Sequence, residues 1–474
     1  MRTYKKGLLA IVASIALTSA ALAIIGSEPT VVGGAAQAGG QTADKRITVS
    51  TSLAQDKVLK GSDGRVALAL TLTAATLPEI REKTIQPVDL AIVLDRSGSM
   101  DGAKIEAARL AVLRLMEKLT PKDRLALVTY SNGVQLVAPL TVMDEGSRQR
   151  LMATVNQIFA DGNTNLGGGL RQGIDLFVGA PFAGRQRKVI LISDGLANEG
   201  VTDPVALGQM AAAATDHHFA VSTVGVGLDF NELLMTTIAD HGTGRYYFLE
   251  DPLVFAQVFE KEFQQARQVA ASAVVLRIPL EKGVSLTTAG GYPIRMEGDQ
   301  AVIALGDLVS GEARKLFLNF QLPTDQERTF ALGKVRLDYA HDGRDNTLEG
   351  LPALSVACVN DPKAVLASVD KDTWGEQVVR DEYNQLKEEV AEAVRNGDAQ
   401  AAQQRIESYE ARNRGMNAQV GSAAVSDHLE KEVKGLRQSV SETFAGPPAA
   451  VAAKQKKTSK ALQYDSYQQR RDKK

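Results

Sequence analysis

A short run, Asp95-Arg96-Ser97-Gly98-Ser99, has residue types and spacing suited to holding an ion. An Asp-x-Ser-x-Ser spacing can turn one carboxylate and two hydroxyls toward a common point, with Gly98 allowing the tight backbone. Two more oxygen donors follow: Thr164, in the loop Asp161-Gly162-Asn163-Thr164-Asn165, and Asp194, directly before Gly195. Carboxylates and hydroxyls select a hard divalent cation, Mg2+, Mn2+ or Ca2+, over zinc. Two carboxylates neutralise such an ion, while three hydroxyls leave its Lewis acidity largely intact. An open coordination position then attracts an outside carboxylate, so the expected activity is binding an acidic side chain rather than cleaving a bond.

Each of these residues also has a purely structural reading. Asp95, Ser97 or Ser99 would serve as an N-cap for the next helix, Asp194-Gly195 as an ordinary turn, and Thr164 as a loop hydroxyl. Arg96 and Met100 are read as exposed positions without a role. What favours an ion site is placement. Residues 88–94 form a near-continuous apolar run, as in a strand buried on both faces, and Asp95 follows directly. Apolar residues at helical spacing then occupy 103–119, and strand-like and helix-like segments continue to alternate through 124–130, 148–159, 169–177, 188–193, 204–215, 220–226, 232–239 and 252–268. This is the pattern of a doubly wound, mostly parallel α/β sheet, in which residues just beyond the carboxyl ends of strands face the ligand crevice.

Asp95-x-Ser97-x-Ser99 with Thr164 and Asp194-Gly195 resembles the complete metal-ion-dependent adhesion site of von Willebrand factor type A domains, over about residues 87–270. The resemblance implies that Ser97, Ser99 and Thr164 touch the ion directly, and that Asp95 and Asp194 do so directly or through water. It further implies that ligand entry changes the coordination at Thr164 and Asp194 and shifts the last helix, here 252–268.

The rest of the chain supplies context. A length of 474 residues calls for two or three folded units. A net charge of −2 gives no reason to expect a nucleic-acid surface. Arg2, Lys5 and Lys6 precede an uncharged apolar run at 7–25, so residues 1–38 are read as a cleaved signal or an uncleaved membrane anchor, placing the rest outside the cytoplasm in the periplasm, secreted or membrane-anchored. Residues 39–86 hold a spacer and strands of period two. Residues 271–360 return to that period, which suggests an antiparallel β-sandwich with the α/β block inserted in it. Residues 361–445 read as a helical hairpin broken at Asn396-Gly397-Asp398, with Trp374 as a packing anchor. Residues 446–474 read as a basic disordered tail, with eight basic against two acidic side chains from Lys454 onward. Cys358 is the sole cysteine, so no internal disulfide can form.

No phosphate-binding loop, nucleophile elbow or His-Glu-x-x-His helix occurs, and His217-His218 reads as a helix-end pair, so an enzyme is the least supported class. The favoured expectation is an exported interaction or adhesion module of the cell envelope that takes an Asp or Glu of a partner protein through its ion. The alternative is an envelope assembly factor that works beside an ATPase chaperone.

Overall fold

The computed structural model describes residues 41–76, 86–179, 184–332, 335–349, 351 and 354–471. The expected signal or anchor, 1–38, lies outside the described residues. Among the described residues no helix is long and apolar enough to cross a membrane.

The strand Val88–Asp95 is buried at every position and is flanked on both sides by parallel neighbours, Gln186–Ser193 and Arg124–Tyr130. The full sheet runs in the order Thr243–Leu249, Ala220–Val226, Gln186–Ser193, Val88–Asp95, Arg124–Tyr130, Val134–Val142. Only the last strand is antiparallel. It lies at the sheet edge and contains Pro139, a position where a missing N–H is tolerated. Two apolar clusters cover the two faces. The helices Ala103–Lys118, Glu145–Val155 and Phe255–Arg267 close one face, and Leu166–Val178, Pro204–Asp216 and Glu232–His241 close the other. This two-sided cover explains why the central strand reads as an unbroken apolar run.

The α/β block sits between two strands of a sandwich. Arg65–Ala74, before the block, pairs antiparallel with Ala313–Gln321, after it, in register from Thr73↔Ala313 to Arg65↔Gln321. Val269–Pro279 leaves the last helix of the block and enters a second five-stranded antiparallel sheet. Side chains from both sheets share one apolar cluster, with Leu68, Leu70, Leu276 and Leu318 among them.

The last helix of the block is held by a buried charge. The Glu262 carboxylate, with no exposed side-chain surface, is 2.8 Å from Lys188 Nζ and accepts hydrogen bonds from Ser222 Oγ at 2.9 Å and Tyr247 Oη at 2.5 Å. Burial pushes its pKa up, but the charges of Lys188 and Arg245 together with the hydrogen bonds from Lys188 and Tyr247 hold it below the usual glutamate range.

The helical region contains the expected hairpin and extends it. Tyr383–Arg395 ends at Asn396-Gly397-Asp398, where Gly397 takes φ 74° and Asp398 caps Ala399–Val420. A third run, from Ala423 to Thr443, then follows Gly421. These helices, Trp374 included, share an apolar cluster with Ala67, Ala69 and Phe317 of the first sandwich sheet. Where a basic disordered tail is expected from 446 onward, Pro448–Arg471 is instead a 24-residue helix. A charge count does not show its stripe of Lys460, Tyr464, Tyr467 and Arg471, because the acidic partners of Lys460 and Arg471, Glu232 and Asp240, stand elsewhere in the chain.

Removing the charge of Glu262 strands a buried ammonium. Glu262→Gln is expected to cost about 3–5 kcal/mol in urea unfolding at pH 7. Because the native pKa is depressed, Glu262 adds stability at neutral pH that is lost as pH falls below the ordinary glutamate value of about 4.3. The difference between the wild type and Glu262→Gln should therefore shrink on acidification.

Candidate metal centre

Three loops at the carboxyl edge of the sheet bring the five expected residues together. Asp95 ends the central strand and is fully buried, as is Asp194, directly after Gln186–Ser193. Thr164 lies in the loop before Leu166–Val178 and is 3% exposed. Ser97 is 1% exposed, while Ser99 opens to solvent.

The side chains meet. Ser97 Oγ lies 3.1 Å from Ser99 Oγ, and Ser99 Oγ donates to Asp194 Oδ1 at 2.7 Å. Gly195 shows where Thr164 stands: a Cβ built there would lie 3.2 Å from Ser99 Oγ and 3.7 Å from Thr164 Oγ1. Hydroxyls from two loops thus face the same small space, and glycine at 195 leaves it free.

The capping reading fails for these residues. The helix Ala103–Lys118 has Gly102 as its N-cap, without a side-chain bond. The Asp95 carboxylate turns instead toward its own loop and the neighbouring strand, accepting from Ser97 N and from Ser193 Oγ, both at 2.8 Å. The loops are also stitched to one another. Gly98 N donates to Gly162 O at 3.0 Å and Asp161 N to Arg96 O at 2.7 Å, while Asn198 N donates to Thr164 O at 3.2 Å and Thr164 N donates back to the Asn198 side-chain oxygen.

Three residues escaped the sequence reading. Lys104 donates to Ser99 O at 3.1 Å and contacts the Asp194 carboxylate. Ser193 backs Asp95, and Asn198 holds Thr164 N at 2.9 Å. Lys104 follows Ser99 by five residues and faces the site from the first turn of a helix, a placement that only the loop between them decides. Met100, expected to be exposed, is fully buried in the cluster under Ala103–Lys118. The short turn Gly98–Met100 points it inward. Arg96 is half-buried. His217 caps the C-terminus of Pro204–Asp216, in keeping with a helix-end pair.

Burial dominates the electrostatics. It pushes the Asp95 carboxyl up to about 6, opposed by hydrogen bonds from Ser97 and Ser193 and reinforced by the nearby Asp194. Burial likewise raises the Tyr130 phenol well above its ordinary value, with the Asp95 charge adding to it. Among the described residues no three His, Cys, Asp or Glu side chains converge, so a metal held here depends on hydroxyls. The donors present, two carboxylates and three hydroxyls, fit a hard divalent ion.

Residues 89–261 match the family model described as von Willebrand factor type A domain, so the central α/β unit is a domain of that type. An uncharacterized protein of the bacterium Synechocystis sp. is 26% identical over 266 residues, which is 53% of this chain and 61% of that protein. The uncharacterized protein YfbK of Escherichia coli is 27% identical over 263 residues, 54% of this chain and 44% of that one. The chain thus spans about half the length of these curated bacterial relatives. A solved structure, a von Willebrand factor type A protein from Catenulispora acidiphila, aligns with a TM-score of 0.66 at 19% identity, covering 91% of this chain and 97% of that one. That coverage extends the likeness of fold beyond the central domain to the sandwich and helices. Domains of this type commonly mediate protein–protein interaction.

A carboxyl whose native pKa is raised stabilises the fold below its unfolded pKa of about 4 and loses that contribution as pH rises through about 6. In chelator, Asp95→Asn is therefore expected to make the protein more stable than wild type at pH 7.5 by about 2–3 kcal/mol, with the gap closing near pH 4. Urea unfolding at the two pH values measures both.

Proposed function

We propose that this chain is a divalent-metal-dependent protein-interaction module of the cell envelope, facing outside the cytoplasm, that binds an acidic side chain of a partner protein. The observation that carries the reading is the meeting of Ser97, Ser99 and Asp194 oxygens within hydrogen-bond distance, with Gly195 against both Ser99 and Thr164. Asp95, Ser97, Ser99, Thr164 and Asp194 would hold the ion, with Mg2+, Mn2+ or Ca2+ suited to these donors. When bound, the ion supplies a Lewis-acidic position for an external carboxylate.

The protein's own residues prepare that position. Ser193 and Ser97 N keep the Asp95 carboxylate aimed and hydrogen-bonded. The exposed Ser99 leaves an approach from solvent. The inserted arrangement joins the domain at both ends to one sandwich, so a partner bound at the site bears on the same neighbour through the strand before it and the strand Val269–Pro279 after it. Binding rather than bond cleavage fits a site in which Asp95, Asp194 and the Ser97 and Ser99 hydroxyls are engaged with one another and with backbone.

Isothermal titration with Mg2+ and Mn2+ tests the site. Wild type should give saturable heat, and Asp95→Ala combined with Asp194→Ala should give none; equal binding by that double variant would sink the proposal. Ser193→Ala, which removes only the support behind Asp95, should weaken affinity by roughly 10–100-fold. Acid should weaken it too, since protonating Asp95 removes a ligand charge as pH falls through about 6.

A further inference from the structure

The C-terminal helix Pro448–Arg471 grips the α/β domain at two ends. Near its C-terminus, Tyr467 is 1% exposed and its hydroxyl accepts from Tyr246 N at 3.0 Å, while Arg470 and Arg471 pair with Asp240. Toward its N-terminus the helix reaches the loop 227–231. Lys460 donates to Phe230 O at 2.8 Å and Glu232 Oε2 at 2.7 Å, and both partners of that ion pair are buried. Lys456 donates to Asp229 Oδ1 at 3.0 Å, and Lys457 to Glu250 Oε1 at 2.7 Å.

The loop 227–231 follows the strand Ala220–Val226, which is the parallel neighbour of the strand delivering Asp194. It therefore shares the edge of the sheet with the metal centre. Lys104 spans the gap. Its ammonium is bonded to Ser99 O and Asp194, and its Cε lies 3.6 Å from the point where a Cβ on Gly227 would stand. The Asp229 carboxylate feels Lys456, Lys104 and Lys460 together, and the hydrogen bond from Lys456 chiefly holds it below the usual carboxylate range.

We propose that ion binding at the centre and docking of the C-terminal helix oppose one another, with Lys104 as the positioning residue that links them through Asp229. The inference rests on the function proposed above. A divalent ion competes with the Lys104 ammonium for Asp194. Lys104 then turns toward Asp229, where it competes with Lys456 and loosens the near end of the helix. Coupling of this kind is reciprocal, so a helix that no longer holds Asp229 leaves the ion a tighter site.

Hydrogen exchange of the full-length chain, with and without saturating Mg2+ and with binding verified by calorimetry on the same sample, tests this. Amides at 448–460 should exchange faster in the ion-loaded wild type, and Lys104→Met should bind the ion without that change. Lys456→Met should tighten Mg2+ by about threefold, in the range of one exposed ion pair. Lys457→Met removes the same charge one residue away, from Glu250 rather than Asp229, and should leave affinity within a factor of about 1.5, because a surface charge at that range is largely screened. Bound ion with unchanged exchange at 448–460, persistence of the change in Lys104→Met, or equal effects of the two lysine variants would each overturn the coupling alone. Absence of Mg2+ heat in wild type would overturn both the coupling and the function it rests on.

Discussion

Two carboxylates, Asp95 and Asp194, lie fully buried at the end of one sheet, and much of the surrounding structure compensates for taking them out of water. An isolated buried carboxylate is costly, so each needs donors or a cation. Asp95 has the Ser97 amide and the Ser193 hydroxyl; Asp194 has the Ser99 hydroxyl and Lys104. The compensation for Asp95 is incomplete: burial outweighs these hydrogen bonds and keeps its pKa raised. A site of this kind would gain from a cation, because a bound positive charge would supply the compensation that the fold leaves short.

The same fold determines what can move. The central strand is fixed by neighbours on both sides and by the pairs from Asp89 to Arg124 and Arg185. The final helix, Phe255–Arg267, is attached to the sheet by Glu262 through Lys188, Ser222 and Tyr247. Breaking a buried pair by losing one partner costs several kcal/mol. A displacement of that helix would have to carry these bonds or exchange them, and the strand Val269–Pro279, directly after it, would take up the motion.

The C-terminal helix adds a second connection between units. It packs beside Tyr383–Arg395, where Lys387 meets Asp465 at 2.8 Å, and across the α/β domain, while Arg471 lies over the Tyr292 ring of the sandwich at 3.7 Å. One element therefore touches the helical region, the sandwich and the α/β domain. Its basic residues, which by composition alone suggest a solvated tail, are distributed among Asp229, Glu232, Asp240 and Glu250.

What the sequence alone determined is what depends on neighbours close along the chain. A near-continuous apolar run at 88–94 marks a strand covered on two faces, helical spacing marks the cover, and Asp95-x-Ser97-x-Ser99 falls at the junction, so the α/β domain and its five oxygen donors were legible. The edge strands Val134–Val142 and Thr243–Leu249 were not, because each is covered less fully and its pattern is broken by exposed or polar positions. Tertiary structure alone decided the burial of Met100, the approach of Lys104 to Asp194 and the fate of the C-terminal segment. Lys456 and Lys460 find acids 227 and 228 residues away, and no local pattern carries information across that separation. A charge has the same composition in a solvated tail as in a docked helix; the partner that removes its cost of burial is supplied only when the chain folds.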